Sequence, residues 1–182
     1  TGQKILVSGG AGSVSRYAIQ MAKLGGAEVI TTVSNDEKAA YARAAGADHT
    51  VNYRDANAAE QILDLTGGGT HRAIELEFGA NVNLLTEVMR PNSTIAAYGS
   101  AQSFTPEIPF IQMMFKDLTL RTILVYILTP EARSETLTGL NKMLADSSLT
   151  HAVGATFTLD ETVKAHELVE SADKFGTVVV TL

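Results

Sequence analysis

Short apolar runs and amphipathic segments alternate along most of this chain. The first apolar run, residues 4–7, is followed by small residues at 8–13 and then by apolar positions spaced three or four apart, which end before Gly25. A short apolar run is typical of a strand buried on both faces, and the wider spacing is typical of an amphipathic helix. The opening stretch therefore predicts a strand, a tight turn and a helix, in that order.

The same alternation continues and predicts a parallel sheet. After the second strand, Ser34 and Glu37 have the spacing of a capping box, which predicts a helix that ends at Gly46. Further helices are predicted at about 57–65, 83–89 and 130–144, with a short one around Met113. The predicted strands are 4–7, 28–33, 49–53, 72–78, 94–98 and 118–128. Strands and helices in this rhythm favour an α/β fold, a Rossmann-type doubly wound parallel sheet of six strands in the order 3-2-1-4-5-6.

The rhythm breaks at His151. Strands are predicted at 155–159 and 177–182 with a helix at 160–171 between them, and neither strand has a place in a completed six-stranded sheet. We therefore divide the chain into a Rossmann domain, residues 1–150, and a segment of a second domain, residues 151–182. We also expect the sequence to be a piece of a longer protein.

The turn after the first strand has the composition of a phosphate-binding loop. Gly10 and Gly12 occupy the first two positions of a dinucleotide-binding fingerprint, and Ser15 stands where a third glycine is usual. Small residues let the backbone approach a pyrophosphate, and the N-terminus of the following helix supplies N–H groups and a positive dipole end. An ordinary turn between a strand and a helix is the alternative reading of this stretch.

Composition excludes several classes of function. The chain has 182 residues, 45% of them apolar, a net charge of −6 and no cysteine, so these residues offer no thiolate metal site and no cysteine nucleophile. Lysine and arginine form no basic run, which disfavours a nucleic-acid surface. There is no apolar run near the ~20 residues of a membrane span and no signal-peptide pattern, so we expect a cytoplasmic protein. The four histidines show no metal-ligand spacing.

Several stretches resemble the medium-chain dehydrogenases/reductases, and most closely the quinone oxidoreductase, zeta-crystallin-like branch. The resemblance spans nearly the whole chain but only the cofactor-binding half of that family's enzymes, whose N-terminal GroES-like catalytic domain has no counterpart here. In the family, the stretch matching residues 151–182 folds back onto that catalytic domain. The stretches that carry the resemblance are 5–14, 20–23, 31–34 with Lys38, 46–48, 51–53, 80–84 and 98–100.

The resemblance implies an NADP(H) site but no catalytic acid, base, nucleophile or metal ligand in these residues. It also implies a small quinone or enone substrate and a homodimer paired through the strand 118–128. The implied cofactor contacts are Ala11, Gly12, Ser13 and Val14 at the pyrophosphate; Ser34, Lys38 and Tyr53 at the adenosine 2′-phosphate; Asn81 beyond the fourth strand; Tyr98, Gly99 and Ser100 after the fifth strand; and Leu124, Val125 and Tyr126 near the nicotinamide.

Three positions depart from the family pattern. Ser15 replaces a glycine and is expected to push the first helix slightly off the sheet. Thr177 stands where a lysine often follows the last glycine, which leaves a cofactor contact there open. Glu75 lies in a central strand where an aliphatic residue is usual, and a buried carboxylate must be paired or protonated, yet the sequence names no partner for it.

The residues also leave alternatives to NADPH binding. Ser34 could serve only as the N-cap of its helix, and Lys38 could be a solvated surface lysine. Tyr53 could be a packing residue at the end of a strand. Because the second strand ends without the acidic residue that grips the ribose of NAD, we predict a preference for NADPH.

Other functions are weighed against a zinc-independent quinone or enone oxidoreductase. A short-chain dehydrogenase is set aside because no tyrosine has a lysine four residues on. A nucleotide-dependent methyltransferase is weaker, since the second strand ends at residues 31–34 without the acidic residue that would hold a ribose. A non-catalytic NADP-binding module remains open, and the fragment itself is expected to be inactive alone.

Overall fold

The computed structural model describes residues 1–171 and 174–182. Its largest element is a six-stranded sheet. In chain order the strands are β1 (Lys4–Val7), β2 (Glu28–Val33), β3 (His49–Asn52), β4 (Thr70–Glu75), β5 (Met89–Ala97) and β6 (Thr119–Thr122). They lie in the order β3-β2-β1-β4-β5-β6, and each neighbouring pair is parallel. The predicted fold class and strand order are confirmed.

Helices pack on both faces of the sheet. The α-helices are α1 (Ser13–Leu24), α2 (Asp36–Ala44), α3 (Ala58–Thr66), α4 (Phe78–Val88), α5 (Phe110–Phe115), α6 (Pro130–Ala145) and α7 (Thr162–Glu170). One apolar cluster joins Leu6 of β1 to Ile62 of α3 and Leu85 of α4. A second cluster joins the next residue, Val7, to Ile19 of α1 and to α2. Successive strand residues thus point to opposite faces of the sheet. Because helices cover both faces, a site can form only at the ends of the strands.

The predicted boundary between β4 and α4 was wrong. The strand was expected to run to Phe78 and the helix to begin at Asn83, but β4 ends at Glu75 and α4 begins at Phe78. Hydrogen bonds cause the early change of direction, because the Glu77 N–H turns back to the Glu75 carboxylate and the Phe78 N–H donates to the Gly99 carbonyl. The pattern of apolar residues in the sequence indicates neither of these hydrogen bonds.

The last strand of the sheet is much shorter than predicted. Instead of an extended run over 118–128, β6 covers Thr119–Thr122, and a short 3₁₀ helix follows at Val125–Ile127. The Ile123 N–H still donates to the carbonyl of Ala97, the last residue of β5, and beyond it later residues have no strand to pair with. Leu124, Val125 and Tyr126 are therefore exposed rather than part of a strand.

The N-terminus of α2 is capped by a different residue from the one predicted. The side chain of Asn35 accepts a hydrogen bond from the Lys38 N–H at 2.8 Å, whereas Ser34 was expected to be the cap. Ser34 lies one position earlier and is buried at the end of β2. The prediction that Ser34 is the N-cap is therefore wrong, and Ser34 lies at the carboxyl end of β2.

The two strands outside the main sheet pair with each other. These strands, β7 (Val153–Thr158) and β8 (Thr177–Thr181), form a parallel two-stranded sheet with α7 between them in sequence. We call residues 151–182 the C-terminal segment. Its junction with the preceding residues is held to α1, where the Gln20 side chain bonds the Thr150 backbone N–H at 2.7 Å and Tyr17 meets His151 at 2.8 Å.

In the described part of the chain, no helix combines the length and the apolar character needed to cross a membrane.

Candidate functional site

The glycine turn between β1 and α1 packs directly against β2. Gly9 has a φ of 63°, a left-handed conformation that favours glycine. A Cβ at Gly10 would overlap Thr31 Oγ1 and lie 2.8 Å from Thr31 Cγ2. The Gly10 N–H donates to the Thr32 carbonyl at 2.9 Å. Glycine at these positions therefore lets the turn lie flat over the end of β2, where a ligand phosphate can approach the backbone.

The N-terminus of α1 faces this turn. Gly12 is its N-cap, and its first turn, described in full, carries no acidic side chain. An acidic residue there would compete with an anion for the free N–H groups and the positive end of the helix dipole. Ser13 and Val14 begin the helix, and Val14 is largely exposed. The arrangement fits the phosphate cradle predicted from the sequence.

Ser15 replaces the third glycine of the fingerprint without leaving a polar atom unpaired. The residue is 1% exposed, and its hydroxyl donates to the Ser8 carbonyl at 2.8 Å. This hydrogen bond ties α1 to the end of β1 across the turn. The serine therefore fastens the helix to the turn rather than merely occupying space beside the sheet.

Glu75 has three partners that the sequence did not reveal. It is 0% exposed, and its carboxylate accepts hydrogen bonds from the Ser8 hydroxyl, the Glu77 N–H and, at 2.9 Å, the Asn81 amide. All three groups donate, which suits an acceptor-only carboxylate. Asn81, predicted as a cofactor contact, lies in the first turns of α4 with its amide on Glu75. The buried carboxylate thus joins the glycine turn to the start of α4.

The turn after β5 packs against the end of β4. A Cβ at Gly99 would overlap the Leu76 carbonyl, and the Ser100 hydroxyl accepts from the Gly79 N–H at 2.9 Å. The pKa of the Tyr98 hydroxyl is raised, mainly by burial of the side chain and in part by the nearby Glu75 carboxylate. A hydrogen bond with Ser15 acts in the opposite direction and lowers this pKa. Tyr98 therefore keeps its proton at neutral pH beside the glycine turn.

Two adjoining clefts open at the carboxyl ends of β1 to β4. The smaller, about 320 Å³, we call the phosphate cleft; the larger, about 570 Å³, we call the base cleft. Gly9 and Tyr53 line both clefts, so they form one continuous groove. The phosphate cleft is lined by Gly9, Ala11, Gly12, Val33, Ser34, Lys38, Tyr53, Val169 and Lys174.

The phosphate cleft gathers residues that were predicted from separate parts of the chain. Ala11 and Gly12 come from the turn, Ser34 from the end of β2, Lys38 from α2 and Tyr53 from the end of β3. Lys38 is partly buried, which differs from the fully solvated reading. Lys174 was missed, because it comes from the C-terminal segment and its approach depends on long-range packing.

Besides the predicted Tyr53 and Asn81, the base cleft is lined by residues that sequence reasoning missed. It is lined from β4 and α4 by Leu76, Ala80, Asn81 and Leu84, and from the β3 side by Tyr53 and Ala56. Asp55, Glu77 and Glu87 also line it. The Tyr53 ring and the apolar side chains of Leu76, Ala80 and Leu84 offer surface for a nucleobase beside the phosphate cleft.

The predicted nicotinamide contacts follow the end of β6 and line neither of these clefts. Leu124, Val125 and Tyr126 follow β6, and Tyr126 is 89% exposed. Neither cleft is lined by these three residues. Thr177 begins β8, where its N–H donates to the Ala152 carbonyl at 2.7 Å.

Histidines serve packing contacts in the described residues. His71 accepts from the Lys4 N–H at 2.9 Å, and burial together with the nearby Arg90 lowers the pKa of its imidazole. His49 meets Glu28 at 3.1 Å. Across residues 1–171 and 174–182, no group of three or more His, Cys, Asp or Glu side chains could hold a metal ion.

A strand order of 3-2-1-4-5-6, with a glycine turn after the first strand and a groove at the strand ends, defines a Rossmann-type nucleotide-binding domain. Comparison with known families is more specific. The family model described as "Zinc-binding dehydrogenase" matches residues 13–145, and the chain belongs to this family. The predicted resemblance to medium-chain dehydrogenases/reductases is confirmed.

Curated relatives include a reductase and a quinone oxidoreductase. The chain is 31% identical to a 2-haloacrylate reductase from a Burkholderia species, over 98% of this chain and 55% of the relative. It is 27% identical to a quinone oxidoreductase of Pseudomonas aeruginosa, over 98% of this chain and 56% of the relative. The chain thus spans about half the length of the curated relatives it matches.

Solved structures agree with this placement. A mycobacterial protein determined in complex with NADPH superposes with a TM-score of 0.86 at 28% identity, over 99% of this chain and 58% of that one. The crystal structure of a 2-haloacrylate reductase gives a TM-score of 0.87 at 26% identity, over 97% of this chain and 56% of that one.

Proposed function

We propose that this chain is the NADP(H)-binding portion of a zinc-independent quinone or enone oxidoreductase. The observation that carries the proposal is the phosphate cleft at the end of β2, where Lys38 and Ser34 stand in place of the acidic residue that would repel a 2′-phosphate. The similar mycobacterial protein, whose structure was determined with NADPH, supports the choice of cofactor.

The groove would hold the adenosine and pyrophosphate parts of the cofactor, and the nicotinamide would lie beyond it. The glycine turn and the α1 N-terminus would hold the pyrophosphate, and Ser34, Lys38 and Tyr53 would bind the 2′-phosphate in the phosphate cleft. The base cleft would take the adenine. When bound, the nicotinamide supplies hydride chemistry. The residues that would border it are Tyr98, Gly99, Ser100, Leu124, Val125 and Tyr126.

The substrate class follows from what the relatives' names have in common. A quinone and a 2-haloacrylate both carry a carbon–carbon double bond conjugated to a carbonyl group. We propose a substrate of this class. It would be reduced in a cleft formed together with residues of a second domain, which in the longer relatives lies outside the part matched by this chain. In this proposal residues 151–182 belong to that second domain, and the chain binds NADPH without turning over a quinone.

Steady-state oxidation of NADPH with a simple quinone, measured together with NADPH binding, tests this proposal. Binding without turnover by this chain, combined with turnover by the full-length gene product, is the expected result. A full-length product that binds NADPH but reduces no quinone or enone would favour the alternative, a non-catalytic NADP-binding module. Turnover by the isolated chain would place the catalytic residues within it and contradict the proposal.

Replacing Lys38 by Ala should weaken NADPH binding by about tenfold or more and leave NADH binding unchanged. A charge-assisted hydrogen bond to phosphate contributes roughly 1.5–3 kcal/mol to binding. NADH has no 2′-phosphate, so it does not make this bond and its binding does not depend on Lys38. Fluorescence titration with both nucleotides measures the two dissociation constants. Arg43→Ala is the matched control, because Arg43 lies on the same helix but outside the phosphate cleft. Equal affinity of the unmutated chain for both nucleotides would contradict the assignment of NADP(H).

We also propose that two copies of the chain pair through β6. This strand is at the edge of the sheet, and Leu120, Leu124 and Ile127 expose apolar surface along and beyond it. Sedimentation at tens of micromolar should show a homodimer, which Leu120→Lys should dissociate. Leu182→Lys, a change at an exposed leucine of the C-terminal segment, should leave the dimer intact. A monomeric unmutated chain would rule out this interface.

A further inference from the structure

We propose that Lys174 is a second phosphate-binding cation, through which the C-terminal segment selects NADPH over NADH. This inference rests on the proposed function and extends it to a residue that no motif predicted. The sequence lacks the lysine that often follows the last glycine, since Thr177 occupies that position. The structure instead places Lys174, from the connection between α7 and β8, in the lining of the phosphate cleft.

Lys174 and Lys38 line the same cleft from different elements. Lys38 belongs to α2 of the Rossmann domain, and Lys174 to the C-terminal segment, which also contributes Val169. Among the described lining residues there is no carboxylate to neutralise either ammonium group. A cleft with two cations and no described anion favours a ligand with more than one negative charge.

An aromatic contact positions Lys174 beside α2. Phe175 packs on Tyr41, with 5.2 Å between their ring centroids, and the Arg16 guanidinium lies 4.8 Å from the Tyr41 centroid. Tyr41 is three residues after Lys38 on α2, so the two side chains share one side of the helix. The residue that follows Lys174 is therefore docked one turn from Lys38.

The charge of a 2′-phosphate matches two lysines better than one. A phosphate monoester carries about −1.5 to −2 charges at neutral pH. Lys174 donates to the Gly176 carbonyl at 3.3 Å, a long hydrogen bond, and an ammonium group has three N–H donors. Lys174 can therefore keep this contact and still donate to phosphate oxygens.

Binding of NADPH would then join the C-terminal segment to the Rossmann domain through the phosphate. NADH, which has no 2′-phosphate, would bind the Rossmann domain alone. The two nucleotides should therefore differ in how strongly they protect residues 174–176 from amide hydrogen exchange.

Lys174→Gln tests the inference in the intact chain. We expect the dissociation constant for NADPH to rise by about tenfold, as loss of one charge-assisted hydrogen bond predicts, and that for NADH to stay within about twofold. Adenosine 2′,5′-bisphosphate and AMP, titrated in parallel, should show the same contrast without the nicotinamide half. Lys174→Arg should restore most of the affinity. Lys164→Gln is the matched control, since Lys164 is an exposed lysine of α7 outside the cleft.

Phe175→Ala provides a second variant that keeps the lysine but removes its anchor. It should weaken NADPH and spare NADH, as Lys174→Gln does. Unchanged NADPH affinity in Lys174→Gln, while Lys38→Ala still weakens it, would overturn the role of Lys174 and leave the proposed function standing. Equal weakening of NADPH and NADH by Lys174→Gln would also overturn it, because packing rather than phosphate binding would then be lost. Equal binding of both nucleotides by the unmutated chain would instead remove the proposed function itself.

Discussion

Replacing Glu75 by Gln should lower the free energy of unfolding by about 3 kcal/mol, because the buried Ser8 O–H would lose its acceptor and two N–H groups would lose a charged one. The Glu75 carboxylate is fully buried and accepts from Ser8, Glu77 and Asn81. A glutamine that keeps its oxygen on the Glu77 and Asn81 N–H groups turns its NH₂ group toward the Ser8 hydroxyl, which must then accept and leaves its own O–H without an acceptor. Each buried donor left without an acceptor costs roughly 1–3 kcal/mol.

The expected loss corresponds to a fall in Tm of roughly 6–12 °C, since 1 kcal/mol shifts Tm by about 2–4 °C in a chain of this length. Thermal and denaturant unfolding measure it. Glu77→Gln is the matched control. The Glu77 carboxylate also accepts two backbone N–H groups, from Ala101 and Gln102, but these hydrogen bonds are exposed, so water can satisfy a donor that is left unpaired. We expect that control to lose no more than about 1 kcal/mol.

A double-mutant cycle with Ser8→Ala separates the hydrogen bond from general packing. Removing the Ser8 hydroxyl removes the donor that Glu75→Gln would leave unpaired, so the two changes together should cost less than their sum. Additive effects, or equal losses in Glu75→Gln and Glu77→Gln, would show that Glu75 does not join the glycine turn to α4 in the way its contacts indicate.

The fold could be predicted from the sequence because a parallel sheet covered on both faces leaves a strong local pattern. Leu6 and Val7 are apolar neighbours because each serves a different face of the same strand. The ends of strands were predicted less well, since an end depends on the neighbouring backbone. At β6, apolar and β-branched residues continue to Leu128, but β5 ends at Ala97, so the strand ends at Thr122.

The site divides in the same way between local and long-range information. The glycine turn is a local motif, and the groove does form beside Gly9 and Gly12. The Ser8 partner of Glu75 lies 67 positions away in sequence, and no spacing rule links them. Lys174 reaches the phosphate cleft because Phe175 packs on Tyr41, a contact between a helix of the Rossmann domain and the C-terminal segment. Such partners follow from the packed structure and carry no sequence signature of their own.

The turn also shows why its glycines and its buried polar residues act together. Ser15 bonds the Ser8 carbonyl, Glu75 accepts from the Ser8 hydroxyl, and the Gly10 N–H donates to Thr32. The backbone of the turn is thus held from α1, from β4 and from β2. A pyrophosphate bound there would meet N–H groups whose positions are already set, so little ordering would remain to be done on binding.

Gly10→Ala should abolish most cofactor binding, raising the dissociation constant for NADPH by about 100-fold. The added Cβ would overlap Thr31 Oγ1 and lie 3.0 Å from Thr31 Cβ, and Thr31 is fully buried with its hydroxyl bonded to the Val7 carbonyl. The turn must therefore move away from β2, and losing two hydrogen bonds from its N–H groups to the pyrophosphate costs about 3 kcal/mol, or about 100-fold. Because NADH carries the same pyrophosphate, its binding should fall equally.

Gly139→Ala is the matched control for this substitution, because Gly139 lies inside α6 and a Cβ there meets nothing within 4 Å. It should leave binding unchanged and raise stability by about 0.5–1 kcal/mol. Thr31→Ala removes the overlapping atoms, so in the Gly10→Ala background it should recover about tenfold of the lost affinity. Calorimetric titration of the four proteins with NADPH and NADH decides the matter. If Gly10→Ala binds either nucleotide as tightly as the unmutated chain, the pyrophosphate does not lie on this turn, and the groove must hold the cofactor in another way.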